Sequence, residues 1–253
     1  GEGVSEFLPG DRDAYAGGPV GAYSDGRNID AAELVKLPEA LSFEQGAAVM
    51  MQGLTAQYLL RRTYRVQPGD TLLIHAAAGG VGLIACQWAK ALGATVIGTV
   101  SSDEKAELAR RHGCDHTIVT SREKVSQRVR ELTAGEGVAV VYDSVGKDTF
   151  FDSLACLRPL GMMVSFGNAS GPVPAFEPSL LMKMGSLFLT RPTLFHYTQR
   201  RADLLAMAGE LFDVVASGQV RISVNQRYPL RDAALAHAAL EARRTTGSTV
   251  LIP

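Results

Sequence analysis

The stretch TLLIHAAAGGVG, residues Thr71–Gly82, decides how the chain is interpreted. Its first five residues form an apolar run of the length of a buried strand. Gly79, Gly80 and Gly82 follow, and a helical pattern of apolar residues then begins at Leu83. In a strand–turn–helix unit of this kind, the free backbone N–H groups at the start of the helix point at a phosphate. Glycine is needed in the turn because a Cβ there would block the approach of the phosphate. A glycine-rich turn without a ligand gives the same pattern, so the surrounding sequence has to decide.

The composition is that of a globular chain. Of 253 residues, 46% are hydrophobic and 20% are charged, which is enough apolar material for a core. The formal net charge of −1 argues against nucleic acid and anionic membranes as partners. No uninterrupted apolar stretch is long enough to span a bilayer. Cys86, Cys114 and Cys156 match neither a zinc spacing nor a disulfide framework, which favours a reducing cytoplasm and no metal.

The N-terminal fifth of the chain predicts turns, short β segments and a first helix. The β segments are predicted around residues 13–15, 21–23 and 34–37. Ser42, with Gln45 three residues later, forms the capping box of a helix. We expect Gly53 to end that helix and a second helix to cover residues 54–61.

From residue 71 onward, predicted strands alternate with predicted helices. Further strands are predicted at 95–99, 116–119, 138–142, 162–166 and 187–190. Helices are predicted between them at 103–112, 124–133 and 149–157. This alternation predicts an α/β fold, a Rossmann-type doubly wound parallel sheet with helices on both faces. The glycine loop then follows the first strand of the sheet, which is the position of a dinucleotide-binding loop.

The tail returns to mixed structure. Helices are predicted at 200–217 and 233–243, and β segments at 222–224 and 249–252.

Six motifs carry a family resemblance. They are HAAAGGVG (His75–Gly82), YDSVG (Tyr142–Gly146), SFGN (Ser165–Asn168), TRPTL (Thr190–Leu194), YPL (Tyr228–Leu230) and GSTVLIP (Gly247–Pro253). With these motifs the chain resembles the bacterial type of zeta-crystallin-like, zinc-free quinone oxidoreductases in the medium-chain dehydrogenase/reductase superfamily. The resemblance implies a GroES-like β-rich catalytic domain remnant in residues 1–53. It further implies a Rossmann NADP-binding domain in 54–192 and a return to the catalytic domain in 193–253.

Two departures from the family pattern affect what the resemblance implies. Family members carry a longer N-terminal portion, so we expect the N-terminal part of the catalytic domain to be absent, and the catalytic residues with it. Asp13 stands where the family has an apolar residue.

The end of the second predicted Rossmann strand favours NADP(H) over NAD(H). An acidic residue there would hold the ribose hydroxyls of NAD and repel a 2′-phosphate, but the sequence gives Ser101 and Ser102. Lys105 follows and either binds the phosphate, as the resemblance implies, or is a solvated helix lysine. Asp103 and Glu104 are interpreted as first-turn helix residues favoured by the helix dipole. Thr120 replaces a family tyrosine, and we expect nearby Arg122 to compensate.

The glycine loop and the resemblance together give the candidate cofactor-binding residues. They are Thr55, Ala78, Gly79, Gly80, Val81, Ser101, Ser102, Lys105, Thr120, Ser144, Gly146, Phe166, Asn168, Thr190, Arg191 and Arg243. Structural roles are the alternative for several of them: packing for Thr55 and Phe166, a turn for Asn168, strand ends for Thr190 and Arg191, and a helix cap for Arg243.

The resemblance implies an enzyme, an NADPH:quinone oxidoreductase of the EC 1.6.5 type that transfers a hydride to a quinone without zinc. The five histidines, His75 among them, are interpreted as structural or surface residues. The alternatives are a zinc-free enoyl reductase and a non-catalytic NADPH-binding protein. The resemblance also implies a homodimer formed through an edge strand in residues 180–194.

Overall fold

The computed structural model describes residue 1 and residues 3–253. Its strands are β1 (Asp13–Ala14), β2 (Val35–Lys36), β3 (Thr71–Ile74), β4 (Thr95–Val100), β5 (His116–Val119), β6 (Val138–Asp143), β7 (Leu157–Ser165), β8 (Phe188–Thr190), β9 (Val224–Pro229) and β10 (Ser248–Ile252). Its α-helices are α1 (Phe43–Tyr58), α2 (Gly80–Ala91), α3 (Asp103–Arg111), α4 (Val125–Leu132), α5 (Phe150–Cys156), α6 (Ser179–Lys183), α7 (Leu194–Tyr197), α8 (Arg201–Ala216) and α9 (Ala233–Glu241).

The centre of the fold is a six-stranded parallel sheet with the order β5-β4-β3-β6-β7-β8. β3 lies in the middle and pairs with β4 on one side and β6 on the other. Successive strands are therefore added on one side of β3 up to β5 and then on its other side from β6 to β8, which is the strand order of a Rossmann fold. The predicted α/β doubly wound sheet is confirmed.

Side chains of the central strands point alternately to two hydrophobic cores. Leu72 and Ile74 of β3 belong to the core shared with α1, α2 and α8, whereas Leu73 belongs to the core shared with α4 and α5. A strand buried on both faces needs an unbroken apolar run, because successive residues point to opposite sides. This requirement explains why the strands of the sheet were visible in the sequence.

The first helix differs from the prediction. The capping box between Ser42 and Gln45 is confirmed, but α1 continues through Gly53 to Tyr58 and then ends in a π-helical turn, Leu59–Thr63. A Cβ on Gly53 would lie 2.6 Å from the Leu211 side chain of α8. The glycine therefore permits close packing of two helices, and the predicted break was wrong.

Three β segments also differ from the prediction. β7 begins at Leu157, ahead of the predicted start at residue 162, and its pairing with β6 shifts register between Val138 and Val140. This irregular start accommodates Pro159, which a regular inner strand would exclude. Residues 21–23 are irregular, and the segment predicted at 222–224 is β9, which runs from Val224 to Pro229.

The C-terminal segment returns to the glycine loop. β10 pairs in parallel with β9, and Gly247, just before β10, forms a β-bridge with Gly79. The backbone N–H of Gly247 donates to the carbonyl oxygen of Ala78 at 3.0 Å. The residues before β10 therefore lie beside the carboxyl end of β3.

Candidate functional site

The glycine loop leaves the start of α2 open. Gly79 is the N-cap residue, and none of the side chains in the described part of the chain caps this helix. A Cβ on Gly82 would lie 2.4 Å from the carbonyl oxygen of Ala76, so only glycine allows α2 to pack on the turn. The uncapped N–H groups, together with the helix dipole, make this end of α2 a site for an anion.

A cleft of about 550 Å³ opens beside this loop, at the carboxyl edge of the sheet. Ligands of open α/β sheets bind at this edge. Six predicted residues line the cleft: Ala78, Gly79, Ser101, Lys105, Thr120 and Arg243. Gly80 and Val81 follow directly in the first turn of α2. Thus the structure brings together residues that are far apart in the chain.

The end of β4 and the start of α3 form a polar corner of the cleft. Ser102 is the N-cap of α3, and its hydroxyl accepts from the backbone N–H of Lys105. The ammonium group of Lys105 donates to the backbone carbonyl of Arg243 at 2.8 Å. Lys105 therefore connects α3 with the residues before β10, and it keeps further N–H donors for a ligand.

The carboxylate of Asp103, the neighbour of this corner, is already paired. Both of its oxygens receive N–H groups of Arg122, at 2.7 and 2.5 Å. These hydrogen bonds lower the pKa of Asp103. Arg122, which was expected to compensate for the missing family tyrosine, is thus engaged by Asp103, and the pairing neutralises a carboxylate beside Ser101 and Lys105.

The predicted residues Ser144, Gly146, Phe166 and Asn168 lie together on two neighbouring loops. The first loop follows β6 and the second follows β7. The backbone N–H of Phe166 donates to the carbonyl oxygen of Asp143, and a Cβ on Gly146 would lie 3.2 Å from Asn168. The cleft itself is lined here by their neighbours Val145 and Ala169.

Three predicted residues have contacts within the protein. Thr190 ends β8 and pairs with Val164 of β7. Arg191, after β8 and Thr190, donates to the carbonyl oxygen of Ser165 at 2.8 Å. The Thr55 hydroxyl donates to the carbonyl of Met51 within α1, and Thr55 is 9% exposed.

The prediction missed several residues that line the cleft. They are His75, Thr99, Glu123, Lys124, Asp148, Thr149, Asp152 and Thr245. His75 follows β3 and Thr99 lies near the end of the adjacent strand β4, and this position at the carboxyl edge was the available signal.

Cys86 and Cys114 form a buried pair with their sulfur atoms 3.3 Å apart. The Cys114 contact and burial raise the pKa of Cys86, and burial raises the pKa of Cys156 to about 12. Thiols of this kind are packing groups, as predicted for Cys86, and not nucleophiles.

Two kinds of feature are absent from the described residues. Among them, no group of three or more His, Cys, Asp and Glu side chains is arranged to hold a metal ion. None of the helices in this part of the chain has the length and apolar character needed to cross a membrane.

Comparisons with known proteins agree with this geometry. The profile of the zinc-binding dehydrogenase family matches residues 80–212. A quinone oxidoreductase of Pseudomonas aeruginosa is 58% identical over the whole chain, which covers 78% of that protein. A 2-haloacrylate reductase of Burkholderia is 50% identical over the whole chain and is covered to 77%.

A solved structure is also similar to this chain. The crystal structure of Escherichia coli quinone oxidoreductase complexed with NADPH has a TM-score of 0.98 and 50% identity, and the match covers 100% of this chain and 78% of that one. The parallel sheet, the glycine loop and these identities together show that the chain belongs to the quinone oxidoreductases of the medium-chain dehydrogenase/reductase superfamily.

Proposed function

We propose that this chain binds NADPH in the cleft and reduces a quinone, or a related α,β-unsaturated carbonyl, without zinc. One observation carries the proposal. The uncapped N-terminus of α2 lies beside the corner that contains Ser101 and Lys105, and the carboxylate of Asp103 at this corner is paired with Arg122. The first feature suits a pyrophosphate and the second a 2′-phosphate. The names of the relatives, and the NADPH bound to the E. coli protein, support the proposal.

The adenosine end of the cofactor is assigned to two groups of residues. Backbone N–H groups of Gly80 and Val81, in the first turn of α2, would hold the pyrophosphate. Ala78 and Gly79 form the turn before them, where the N–H of Gly79 donates to the Ala76 carbonyl oxygen at 2.9 Å. The hydroxyls of Ser101 and Ser102 and the ammonium of Lys105 would hold the 2′-phosphate, with Thr120 beside them.

The nicotinamide end is assigned to the residues nearer β7 and β8. We propose that Ser144, Gly146, Phe166 and Asn168 enclose it, together with Thr55, Thr190 and Arg191. Arg243 is assigned instead to the adenosine end, because its carbonyl oxygen accepts from Lys105. When bound, NADPH supplies a hydride from C4 of the nicotinamide. The chain orients and shields this group. With one proton taken from solvent, the hydride converts a quinone to a hydroquinone.

The experiment is an activity panel with NADPH and NADH as reductants. We expect 1,4-benzoquinones and naphthoquinones to be reduced with NADPH, and to be reduced poorly with NADH. Equal rates with both reductants would contradict the phosphate assignment. Binding of NADPH without turnover of any acceptor would favour a non-catalytic NADPH-binding protein instead.

A reductase of electron-poor alkenes is the second candidate. The 50% identity to a 2-haloacrylate reductase favours it, because such a substrate also receives a hydride at an activated double bond. The same panel, extended to enones and 2-haloacrylate, separates the two. A higher kcat/KM for an alkene than for every quinone would decide for the alkene reductase.

We also propose a homodimer in the cytoplasm. β8 is the last strand of the sheet, and its residues Phe188 and Leu189 are 56% and 37% exposed. Pairing with β8 of a second copy would satisfy the open strand edge and cover this apolar surface. Light scattering should give twice the mass of one chain, and Leu189→Lys should give a monomer; a wild-type monomer would contradict the proposal.

The cytoplasmic location is supported by the three free cysteines, which fit a reducing compartment.

A further inference from the structure

A chain of buried polar groups begins at two residues that line the cleft, Thr99 and His75. It joins Thr99 on β4, His75 after β3, Ser153 on α5 and Asp143 at the end of β6, and each of the four residues is at most 3% exposed. Nδ1 of His75 lies 3.0 Å from the Thr99 hydroxyl, and Nε2 lies 2.9 Å from the Ser153 hydroxyl. The Ser153 hydroxyl in turn donates to Asp143 at 2.9 Å.

Asp143 is the acceptor at the end of this chain. Besides Ser153, it receives the backbone N–H groups of Val145 and Gly146, at 2.8 and 3.0 Å, and the hydroxyl of Thr149. Every group around it is thus a donor, as an ionised carboxylate requires. Through these bonds Asp143 fixes the loop after β6, where Val145 lines the cleft.

The direction of every hydrogen bond follows from Asp143. Ser153 has one proton and donates it to the carboxylate, so toward His75 it offers only a lone pair. Nε2 of His75 must then carry the ring proton. Nδ1 is therefore a lone pair that accepts the proton of the Thr99 hydroxyl. Burial lowers the pKa of His75 against the opposing effect of Asp143 and Asp152, which is consistent with a neutral ring.

We propose that His75 is a positioning residue of the cleft: as the neutral Nε2–H tautomer it links the strand of the glycine loop, through Ser153 and Asp143, to the loop Ser144–Gly146. The spacing between the pyrophosphate site and the nicotinamide site is then held by one continuous, fully satisfied chain. This role rests on the proposed function, since the two loops are the two ends of the proposed cofactor site.

The tautomer is tested directly in the cofactor-free protein. In a long-range ¹H–¹⁵N correlation spectrum of histidine-labelled protein, we expect one ring to show a protonated Nε2 and a bare Nδ1. The signal is assigned to His75 by its loss in His75→Gln. A Nδ1–H tautomer or a charged ring at neutral pH would overturn the proposal.

The positioning role is tested with two replacements of the same residue. His75→Leu removes both hydrogen bonds, and we expect it to raise Kd and KM for NADPH about tenfold while kcat stays within about twofold, because a buried donor and acceptor lose their partners. His75→Gln keeps an N–H for Ser153 and an acceptor for Thr99, and should stay within about threefold of wild type. Equal losses in both variants would indicate a merely structural residue and overturn the proposal.

Ser153→Ala breaks the chain at a second point and covers the case in which His75→Leu does not fold. In the cofactor-free protein, the amides of Val145 and Gly146 should exchange with deuterium faster than in wild type. Ser217→Ala, at the end of α8, is the matched serine control. Unchanged exchange in Ser153→Ala would refute the link. These measurements need no cofactor, so they remain informative even if wild type fails to bind NADPH, a result that would refute the proposed function alone.

Discussion

The first two strand-to-helix crossings of the sheet have the same architecture and opposite chemistry. At the first crossing, from β3 to α2, the described side chains leave the helix N-terminus uncapped. At the second, from β4 to α3, Ser102 caps the helix, and Asp103 and Glu104 occupy its first turn. Ser102 accepts the backbone N–H of Lys105, so the start of α3 offers an anion fewer free donors than the start of α2. We therefore expect the first crossing to bind the pyrophosphate of either cofactor and the side chains of the second crossing to discriminate between the cofactors.

Gly82→Ala should break this comparison most severely. The new Cβ would lie 2.4 Å from the Ala76 carbonyl oxygen, so the first turn of α2 has to move. We expect loss of NADPH and NADH binding alike and a loss of about 1–3 kcal/mol in the free energy of unfolding. Fluorescence titration measures the cofactor affinities, and urea unfolding measures the free energy of unfolding.

Gly209→Ala is the control for that prediction. Gly209 lies in α8, and no described atom beyond the backbone of its own helix lies within 4 Å of the position that a Cβ would take. There the substitution should raise the stability by up to about 1 kcal/mol. A Gly82→Ala protein with wild-type affinity would show that the open N-terminus does not bind the cofactor.

Lys105→Met should have the next largest effect on cofactor affinity, and this effect should be confined to the phosphate contacts of the second crossing. Removing a charged donor from the 2′-phosphate should raise Kd for NADPH about 10- to 100-fold and leave Kd for NADH unchanged. The matched control is Lys90→Met at the far end of α2, where Lys90 pairs with Asp115. An equal loss for both cofactors would remove the assignment of this corner to the phosphate.

Arg122→Ala sharpens the comparison further. It leaves the carboxylate of Asp103 unpaired near the phosphate, and we expect Kd for NADPH to rise about two- to fivefold at low salt, because exposed charges interact weakly and are screened. The double variant Asp103→Asn with Arg122→Ala should restore the affinity. If it does not, Arg122 acts on the cofactor directly.

Ser102→Ala should have the smallest effect on affinity. Its hydroxyl already caps α3, so the main result should be a loss of about 1 kcal/mol in the free energy of unfolding. The NADPH:NADH affinity ratio should fall far less than in Lys105→Met. A collapse of that ratio to the value of Lys105→Met would make Ser102 the dominant phosphate ligand.

The fold was predictable because its signals are local. Strands buried on both faces need apolar runs, and the capping box of Ser42 and Gln45 lies within four residues. The role of Gly53 was not predictable, because its partner Leu211 comes from a helix more than 150 residues away. Local sequence offers a helix break there, and tertiary packing overrides it.

The residues around the cleft were predictable where the sequence has a local signal or a family resemblance. The glycine loop was named from its motif, Ser101 and Lys105 from the end of the second strand, and Arg243 from the resemblance, and all of them lie around one cleft. His75 was interpreted as structural or surface, because the sequence gives no sign of its bonds to Thr99 and Ser153, 24 and 78 residues away. Hydrogen bonds across strand ends exist only once the sheet has set the register.

The bridge between Gly79 and Gly247 has a consequence for biosynthesis. All six strands of the sheet are translated before the segment that contains Arg243 and Gly247. A nascent chain can thus assemble its sheet while one wall of the cleft does not yet exist. Tight retention of a dinucleotide would then distinguish a fully translated molecule from one whose synthesis stopped before Arg243.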